Sequence, residues 1–252
     1  MKLLVINPNT TPGITDLVVG AARRCASPGT EVSGATGRFG ARYIASRAAY
    51  AVATHAALDA YAEHGEDADA VILACFGDPG LAGLKEIAHQ PVVGFAEVGC
   101  RRAAELGRFS IVTGGERWGP MLREFVDWLG LGASLASVRT VAPSGADIAR
   151  DPDGSISMLA EACIEAVQRD GAQGVVLGGA GLAGLAARIA PRVPAPVIDP
   201  IEASVAAAEA LARAGARKPQ AGDYAASPAV ETIGLAAPLA HRFTGRKPGR
   251  GR

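Results

Sequence analysis

The sequence has no excess of either charge and no long apolar run. Lysine plus arginine and aspartate plus glutamate number 25 each, so no overall electric field favours nucleic acid or an anionic membrane. The N-terminal apolar stretch (3–6) is too short for a signal peptide, and no stretch reaches the roughly eighteen residues of a membrane span. We therefore expect a cytoplasmic protein that acts on a small molecule, with no nucleic-acid and no membrane partner.

Cysteine and histidine are scarce, with four residues of each. They are Cys25, Cys75, Cys100, Cys163, His55, His64, His89 and His241. No two cysteines have the CxxC spacing, and the histidines do not complete a metal-ligand pattern with them. We expect neither disulfides nor structural zinc.

The chain does contain an internal duplication. The first copy comprises 69–75, 80–84, 91–93 and Glu97, and the second comprises 174–179, 181–185, 196–198 and Glu202. Cys75 and Gly179 end the two matched apolar runs and lie 104 residues apart, while the two glutamates lie 105 apart. A chain of 252 residues with this repeat is expected to form two lobes, with Cys75 and Gly179 facing each other across a cleft.

Short apolar runs alternate with alanine-rich stretches along the chain. The predicted strands are 3–6, 70–74, 92–95, 109–113, 174–177 and 196–198. The predicted helices are 15–25, 46–64, 97–106, 121–129, 157–169 and 201–214. Because the strand runs are continuously apolar, they suit parallel sheets covered by helices on both faces. The predicted fold class is α/β, with a mostly parallel sheet in each lobe.

Ligands of open parallel sheets bind beyond the carboxyl ends of the strands. In lobe one, Asn9 and Thr10 follow the first strand and offer amide and hydroxyl groups to a carboxylate or carbonyl, although a capped turn is the alternative. In lobe two, Thr113 ends a strand at a corresponding position and is a candidate polar contact for substrate. Phe39, Arg42 and Tyr43, in a loop of lobe one, are further candidates to shape the cleft, or else form a plain surface loop.

A thiol follows the strand at 70–74. Cys75 opens a turn that continues with Phe76, Gly77 and Asp78, and a nearby helix N-terminus is expected to lower the thiol pKa. The alternative is a buried, inert cysteine. The other three cysteines fall within predicted helices and are not site candidates.

The matching turn of lobe two contains Gly179, Ala180 and Gly181. With Gly184 it fits the GxGxxG dinucleotide pattern. The helix predicted after it, 182–189, is short, and the turn aligns with the Cys75 turn. A duplicated substrate turn is therefore favoured over an NAD(P) site, and no cofactor is expected.

Four segments carry a resemblance to a known family. They are NPNT at 7–10, ACFGDPG at 74–80, LGGAG at 177–181 and PVIDP at 196–200. They resemble the aspartate/glutamate/hydantoin racemase superfamily, most closely its hydantoin and allantoin racemase branch, and the resemblance extends to about residue 240. It implies a cofactor-independent isomerase in which a cysteine from each lobe flanks the substrate carbon, one removing a proton and the other delivering one from the opposite face.

The resemblance assigns Cys75 as one thiol and places Gly179 where the second is usual. Three alternatives follow for the substrate face that lacks a thiol. A bound water or Asp199 serves the second face and racemisation persists; or Cys75 works alone, as in single-cysteine decarboxylases or isomerases of the superfamily; or the protein binds a small ligand without chemistry. The candidate donors to the enolate or carboxylate are Asn9, Thr10 and Thr113.

The duplication also sets the predicted domains. Lobe one comprises 1–95 plus about 206–240, lobe two comprises 96–205, and 241–252 form a basic disordered tail. The resemblance implies that the helix after Asp199 crosses back to pack on lobe one. Homo-oligomers are common in the family that the chain resembles, so a homo-oligomer is one option for this chain.

Overall fold

The computed structural model describes residues 1–244. The strands are β1 (Lys2–Asn7), β2 (Glu31–Thr36), β3 (Ala70–Leu73), β4 (Val92–Gly94), β5 (Phe109–Gly114), β6 (Leu135–Val141), β7 (Gly174–Gly178) and β8 (Val197–Ile198). The longer helices are α1 (Pro12–Cys25), α2 (Arg47–His64), α4 (Phe95–Ala104), α5 (Trp118–Trp128), α7 (Pro152–Gln168) and α9 (Pro200–Arg213). The shorter ones are α3 (Leu81–Ile87), α6 (Gly145–Arg150), α8 (Ala186–Ile189) and α10 (Ala237–Arg242).

The strands form two four-stranded sheets with the same order. Lobe one has β2-β1-β3-β4 and lobe two has β6-β5-β7-β8, and every pairing within them is parallel. The prediction of an α/β fold with two similar lobes is confirmed. The central pairs of the two sheets, β1 with β3 and β5 with β7, therefore occupy equivalent places.

The six predicted strands are present, but β2 and β6 were not predicted from the sequence. Both lie at a sheet edge, and most of their residues are exposed or only half-buried. A strand of this kind lacks the continuous apolar run by which the central strands were predicted. The edge strands are visible only once the neighbouring strand is in place.

The strands of both sheets place alternate side chains in different apolar clusters. Leu3, Ile72, Ile111 and Val176 point into a shared cluster that joins the two lobes. The opposite face of the first sheet packs under α2 and α3, and that of the second packs under α7 and α8. Each sheet is thus covered on both faces, with the shared cluster as the middle layer.

Two helices cross between the lobes. The helix α4, which follows the last strand of lobe one, packs on β7, whereas α9, which follows the last strand of lobe two, packs on β3 and β4. These two helices also contact each other. The exchange fixes one lobe against the other, although the exact domain boundaries stay predictions.

Two further observations concern the described residues. None of their helices has the length and apolarity to cross a membrane. Within 1–244 no group of three or more His, Cys, Asp or Glu side chains is arranged to hold a metal ion. The predicted disordered tail, 241–252, lies largely outside the described residues, and His241 and Arg242 belong to α10.

Candidate functional site

A narrow cavity lies between the lobes at the carboxyl ends of the central strands. It is lined by Asn9, Ile14, Tyr43, Ile44, Cys75, Phe76, Thr113, Gly114, Trp118, Gly145, Ala146, Gly179, Ala180, Gly181 and Leu182. The space open to the centre of a water molecule is about 40 Å³, room for a few waters at roughly 10–15 Å³ each. The cavity is therefore narrow.

Cys75 follows β3 and lies on the lobe-one wall of this cavity. The thiol residue is 8% exposed, and its backbone carbonyl accepts a hydrogen bond of 2.9 Å from the amide of Asp78. Burial raises the pKa of the Cys75 thiol above its ordinary value, and the charge of Asp78 raises it further. The expectation of a lowered pKa is wrong, because the thiol is buried and the residues that line the cavity include no cation to stabilise the thiolate.

Asp78 does not line the cavity. Its carboxylate accepts hydrogen bonds from the amides of Ala96, at 3.0 Å, and Glu97, at 2.7 Å, in the first turn of α4. The side chain lies so close to Gly94 that a Cβ there would collide with it. Burial raises the pKa of the Asp78 carboxyl to about 8, although the two amides act to lower it. The structure thus places this predicted substrate-binding residue where it holds the Cys75 loop against α4.

Gly77 also faces away from the cavity. Its carbonyl accepts a hydrogen bond of 2.8 Å from the phenol of Tyr50, and the residue borders a separate groove of about 480 Å³. Trp118 packs beside Gly77 and lines both the groove and the cavity. Nothing in the sequence analysis pointed to this tryptophan, which lies ahead of the predicted helix 121–129.

Asn9 provides a free donor at the cavity. Its side-chain oxygen accepts hydrogen bonds of 2.9 Å from the Asn7 amide group and from the backbone amide of Thr11. Because these bonds fix the orientation of the amide, Nδ2 is left without a partner among the described residues and is available to a ligand. Thr10, by contrast, is not in the cavity lining, and its backbone amide donates to the carbonyl of Ala41.

Thr113 and Gly179 lie together on the lobe-two wall. A Cβ on Gly179 would be 3.7 Å from the hydroxyl oxygen of Thr113 and 3.0 Å from Leu182. Gly179 has a φ of 134°, a backbone conformation that residues with side chains rarely adopt. The Thr113 hydroxyl makes no hydrogen bond within residues 1–244. The wall therefore offers one hydroxyl donor and has no second thiol.

The remaining candidates are divided between the cavity and the protein around it. Tyr43 lines the cavity, whereas Phe39 packs edge-on against His55 and the carbonyl of Arg42 accepts from Thr11. Asp199, considered as a second acid, is outside the lining and accepts a hydrogen bond of 2.8 Å from the amide of Ile201, at the start of α9. It does not face Cys75.

The glycine-rich turn of lobe two has no long helix behind it. Ala180–Leu182 form one turn of 3-10 helix, followed by the four residues of α8. Gly181 packs against Gly145, and a Cβ at 181 would collide with the Gly145 carbonyl. The turn closes one side of the cavity and lacks the helix on which a dinucleotide phosphate would rest.

Comparison with known proteins gives a consistent assignment. The family model for Asp/Glu/Hydantoin racemase matches residues 3–208. A hydantoin racemase of Paenarthrobacter aurescens is 36% identical over 227 residues, which cover 89% of this chain and 96% of that protein. The crystal structure of an allantoin racemase from Pseudomonas fluorescens is 34% identical with a TM-score of 0.89, covering 93% of this chain and all of that one.

A second allantoin racemase structure, from Klebsiella pneumoniae, is 32% identical with a TM-score of 0.89 and covers 95% of this chain and 98% of that one. The family match extends over most of the chain, and the relatives align along nearly their whole length. The chain belongs to the Asp/Glu/hydantoin racemase family.

Proposed function

We propose that this protein is a cofactor-independent racemase or epimerase. It moves the proton at a carbon alpha to a carbonyl in a hydantoin-like or amino-acid-derived substrate, with Cys75 as the acid/base. The observation that carries the proposal is the position of the Cys75 thiol in a narrow cavity between the two lobes. The cavity also presents side-chain donors from Asn9 and Thr113 that have no partner among residues 1–244.

Those donors address the main difficulty of the reaction. A C–H bond beside a carbonyl becomes acidic only if the negative charge that develops on the carbonyl oxygen is stabilised. Nδ2 of Asn9 and the hydroxyl of Thr113 can each donate a hydrogen bond to such an oxygen or to a substrate carboxylate. In a cavity without water these bonds are stronger than they are in solution.

The protonation of Cys75 determines the direction in which it acts. With its pKa raised by burial, the group is mainly a thiol near neutral pH, suited to deliver a proton. Acting as a base requires the thiolate, whose fraction increases with pH. We expect the step in which Cys75 removes a proton to accelerate as pH rises from about 7 to 10.

Family membership and the likeness to hydantoin and allantoin racemases support assignment as an isomerase. The names of these relatives also indicate the first substrates to test, 5-substituted hydantoins and allantoin. We expect the enzyme to act in the cytoplasm on a small molecule, without a nucleic-acid or membrane partner.

The test is proton NMR in D₂O with single enantiomers of 5-substituted hydantoins, allantoin, aspartate and glutamate, combined with chiral chromatography. We expect the α-proton signal to disappear and the opposite enantiomer to form, both faster than in samples without protein. Exchange with retained configuration would assign Cys75 a one-face reaction. No exchange with any compound would contradict the proposal and favour ligand binding without chemistry.

A further inference from the structure

We infer that Tyr43 is the second proton-transfer residue, acting on the substrate face opposite Cys75. The inference rests on the proposed function and concerns the same cavity. Because Gly179 provides no thiol, another group must serve that face of the substrate.

The chemistry of the cavity wall favours Tyr43. Among the described residues that line the cavity, Cys75 and Tyr43 are the side chains that titrate. The turn that contains Gly179 consists of glycine, alanine and leucine, and Asp199 is engaged at the start of α9. Tyr43 is thus the side chain in the lining able to exchange a proton with a substrate carbon in partnership with Cys75.

The phenol also lies on the side of the cavity opposite the thiol. Tyr43 belongs to the lobe-one loop between β2 and α2, but its hydroxyl reaches lobe two. It lies 3.3 Å from the carbonyl oxygen of Gly114 and 3.1 Å from the amide nitrogen of Gly145. Gly145 in turn packs against Gly181. The phenol is therefore part of the lobe-two wall with Gly179, whereas Cys75 lies on the lobe-one wall.

The hydrogen bonds of the phenol suit both halves of a proton transfer. The bond that it donates to Gly114 is longer than the usual O–H···O range of about 2.5–3.0 Å, so the proton can readily turn to a substrate. The bond accepted from the Gly145 amide would stabilise the phenolate left behind. Burial raises the pKa of Tyr43, which keeps the phenol protonated near neutral pH.

The reaction balances without another reactant. The Cys75 thiolate takes the α proton and becomes a thiol, and the electron pair of the broken C–H bond forms the enolate. The Tyr43 hydroxyl then gives its proton to the opposite face of that carbon and becomes a phenolate. The opposite enantiomer reacts by the reverse path, in which the phenolate removes the proton and the Cys75 thiol delivers one.

The test compares exchange with inversion in Tyr43→Phe. With single enantiomers in D₂O, the rate of α-deuterium incorporation is measured by NMR and the rate of inversion by chiral chromatography. We expect inversion to fall by about 100-fold or more, while Cys75 still exchanges the proton of one enantiomer with retention of configuration. The ratio of exchange to inversion for that enantiomer therefore rises sharply.

The matched control is Tyr50→Phe. Its hydroxyl is also half-buried near the Cys75 loop but donates to the Gly77 carbonyl and is not in the cavity lining. We expect this variant to leave the ratio of exchange to inversion as it is in the unaltered protein. A merely structural effect of losing a buried hydroxyl changes both rates together.

Two outcomes would overturn the inference while leaving the proposed function intact. Inversion by Tyr43→Phe at the unaltered rate would show that another group delivers the proton. Loss of exchange and inversion in equal proportion would assign Tyr43 to closure of the lobes and not to proton transfer. If the unaltered protein exchanges no compound of the panel, the proposed function itself fails, and this inference fails with it.

Discussion

The turns at the ends of β3 and β7 occupy equivalent places in the two sheets but differ in how they are held. The first turn contains Cys75, and three residues later Asp78 binds two backbone amides of α4. In the second turn the corresponding positions are Gly179 and Leu182. Leu182 is buried in the apolar cluster of lobe two and binds no helix terminus.

The N-termini of the helices that follow, α4 and α9, are therefore capped in different ways. The first amides of α4 are satisfied from a distance, by the turn that contains the thiol. The first turn of α9 is capped by its own preceding residue, Asp199. The thiol thus lies on a turn that is hydrogen-bonded to α4, one of the two helices that cross between the lobes. The turn without a thiol has taken up a backbone conformation that suits glycine.

The largest expected effect is the removal of the thiol. We expect Cys75→Ala to lower both exchange and inversion by about 100- to 10,000-fold, the usual contribution of an acid/base group. Both rates are measured as for the unaltered protein. The control is Cys163→Ala, which removes another buried thiol, from the core of lobe two, and should leave both rates unchanged. Equal activity of the two variants would contradict the role of Cys75.

The hydrogen bonds between the first turn and α4 provide the next test. Asp78→Asn replaces an acceptor oxygen with an amide that cannot accept, so one backbone amide of α4 is left unpaired. At about pH 5 we expect the free energy of unfolding to fall by about 1–3 kcal/mol, and we expect inversion to fall because the thiol is less well fixed. Asp199→Asn is the matched change in lobe two. It should cost well under 1 kcal/mol, because asparagine caps a helix about as well as aspartate does, and it should not lower activity comparably.

The difference in stability between the unaltered protein and Asp78→Asn should depend on pH. The pKa of Asp78 is about 8 in the folded chain and about 4 when unfolded, so the folded state binds more protons between these values. The contribution of Asp78 to the free energy of unfolding therefore decreases as pH rises from about 4 to 8. In chemical denaturation, the advantage of the unaltered protein over Asp78→Asn should shrink across this range. An advantage that grows with pH would contradict the raised pKa.

Adding a side chain at Gly179 tests whether a thiol in the second turn can take part in the reaction. At the φ of 134° of Gly179, we expect Gly179→Cys and Gly179→Ala each to cost about 1–3 kcal/mol of unfolding free energy. Gly179→Ala carries the same strain without a thiol. A faster inversion by the cysteine variant than by the alanine variant would indicate that the cleft still accepts two thiols. Equal rates would mean that the added thiol does not reach the substrate.

The smallest effect concerns the far end of α9. Glu209 lies near the end of this helix and accepts hydrogen bonds from Ser27 and Thr30 of lobe one. Burial alone would raise the pKa of Glu209, but those bonds outweigh it and lower the pKa to about 2. We expect Glu209→Gln to cost about 1–2 kcal/mol at neutral pH, with activity little changed.

The stabilisation from Glu209 depends on its charge. Because the pKa of Glu209 is lower in the folded than in the unfolded chain, its contribution is complete above about pH 4.5 and is lost as pH falls towards 2. The difference in unfolding free energy between the unaltered protein and Glu209→Gln should shrink over that interval. Glu161→Gln, on the exposed side of α7, is the control and should show no such dependence.

Local sequence was sufficient for the parts of the fold that repeat. Continuous apolar runs identified the buried central strands, and the offset between Cys75 and Gly179 predicted two similar lobes. The edge strands β2 and β6 could not be predicted in this way, because their residues are partly exposed and follow no continuous apolar run. They form by pairing with the neighbouring strands, β1 and β5.

The residues of the site could likewise be predicted only in part from the sequence. Asn9, Cys75, Thr113 and Gly179 were predicted from their places after apolar runs, and the structure brings all four to one cavity. Asp78 has the same kind of place in the sequence, yet its carboxylate turns to α4. No local pattern distinguishes these two orientations, because the partner amides belong to a helix that starts seventeen residues later.

The sequence by itself determined the α/β class, the duplication and the single thiol at the strand ends, because periodicity and chemical type are properties of neighbouring residues. The tertiary structure decided that the phenol of Tyr43 crosses to the opposite lobe and that Gly179 adopts a left-handed φ. It also decided that the Cys75 thiol is buried, with no cation among residues 1–244 placed to lower its pKa. Each of these depends on groups distant in the chain, whose distances and surroundings exist only after the two lobes have packed together.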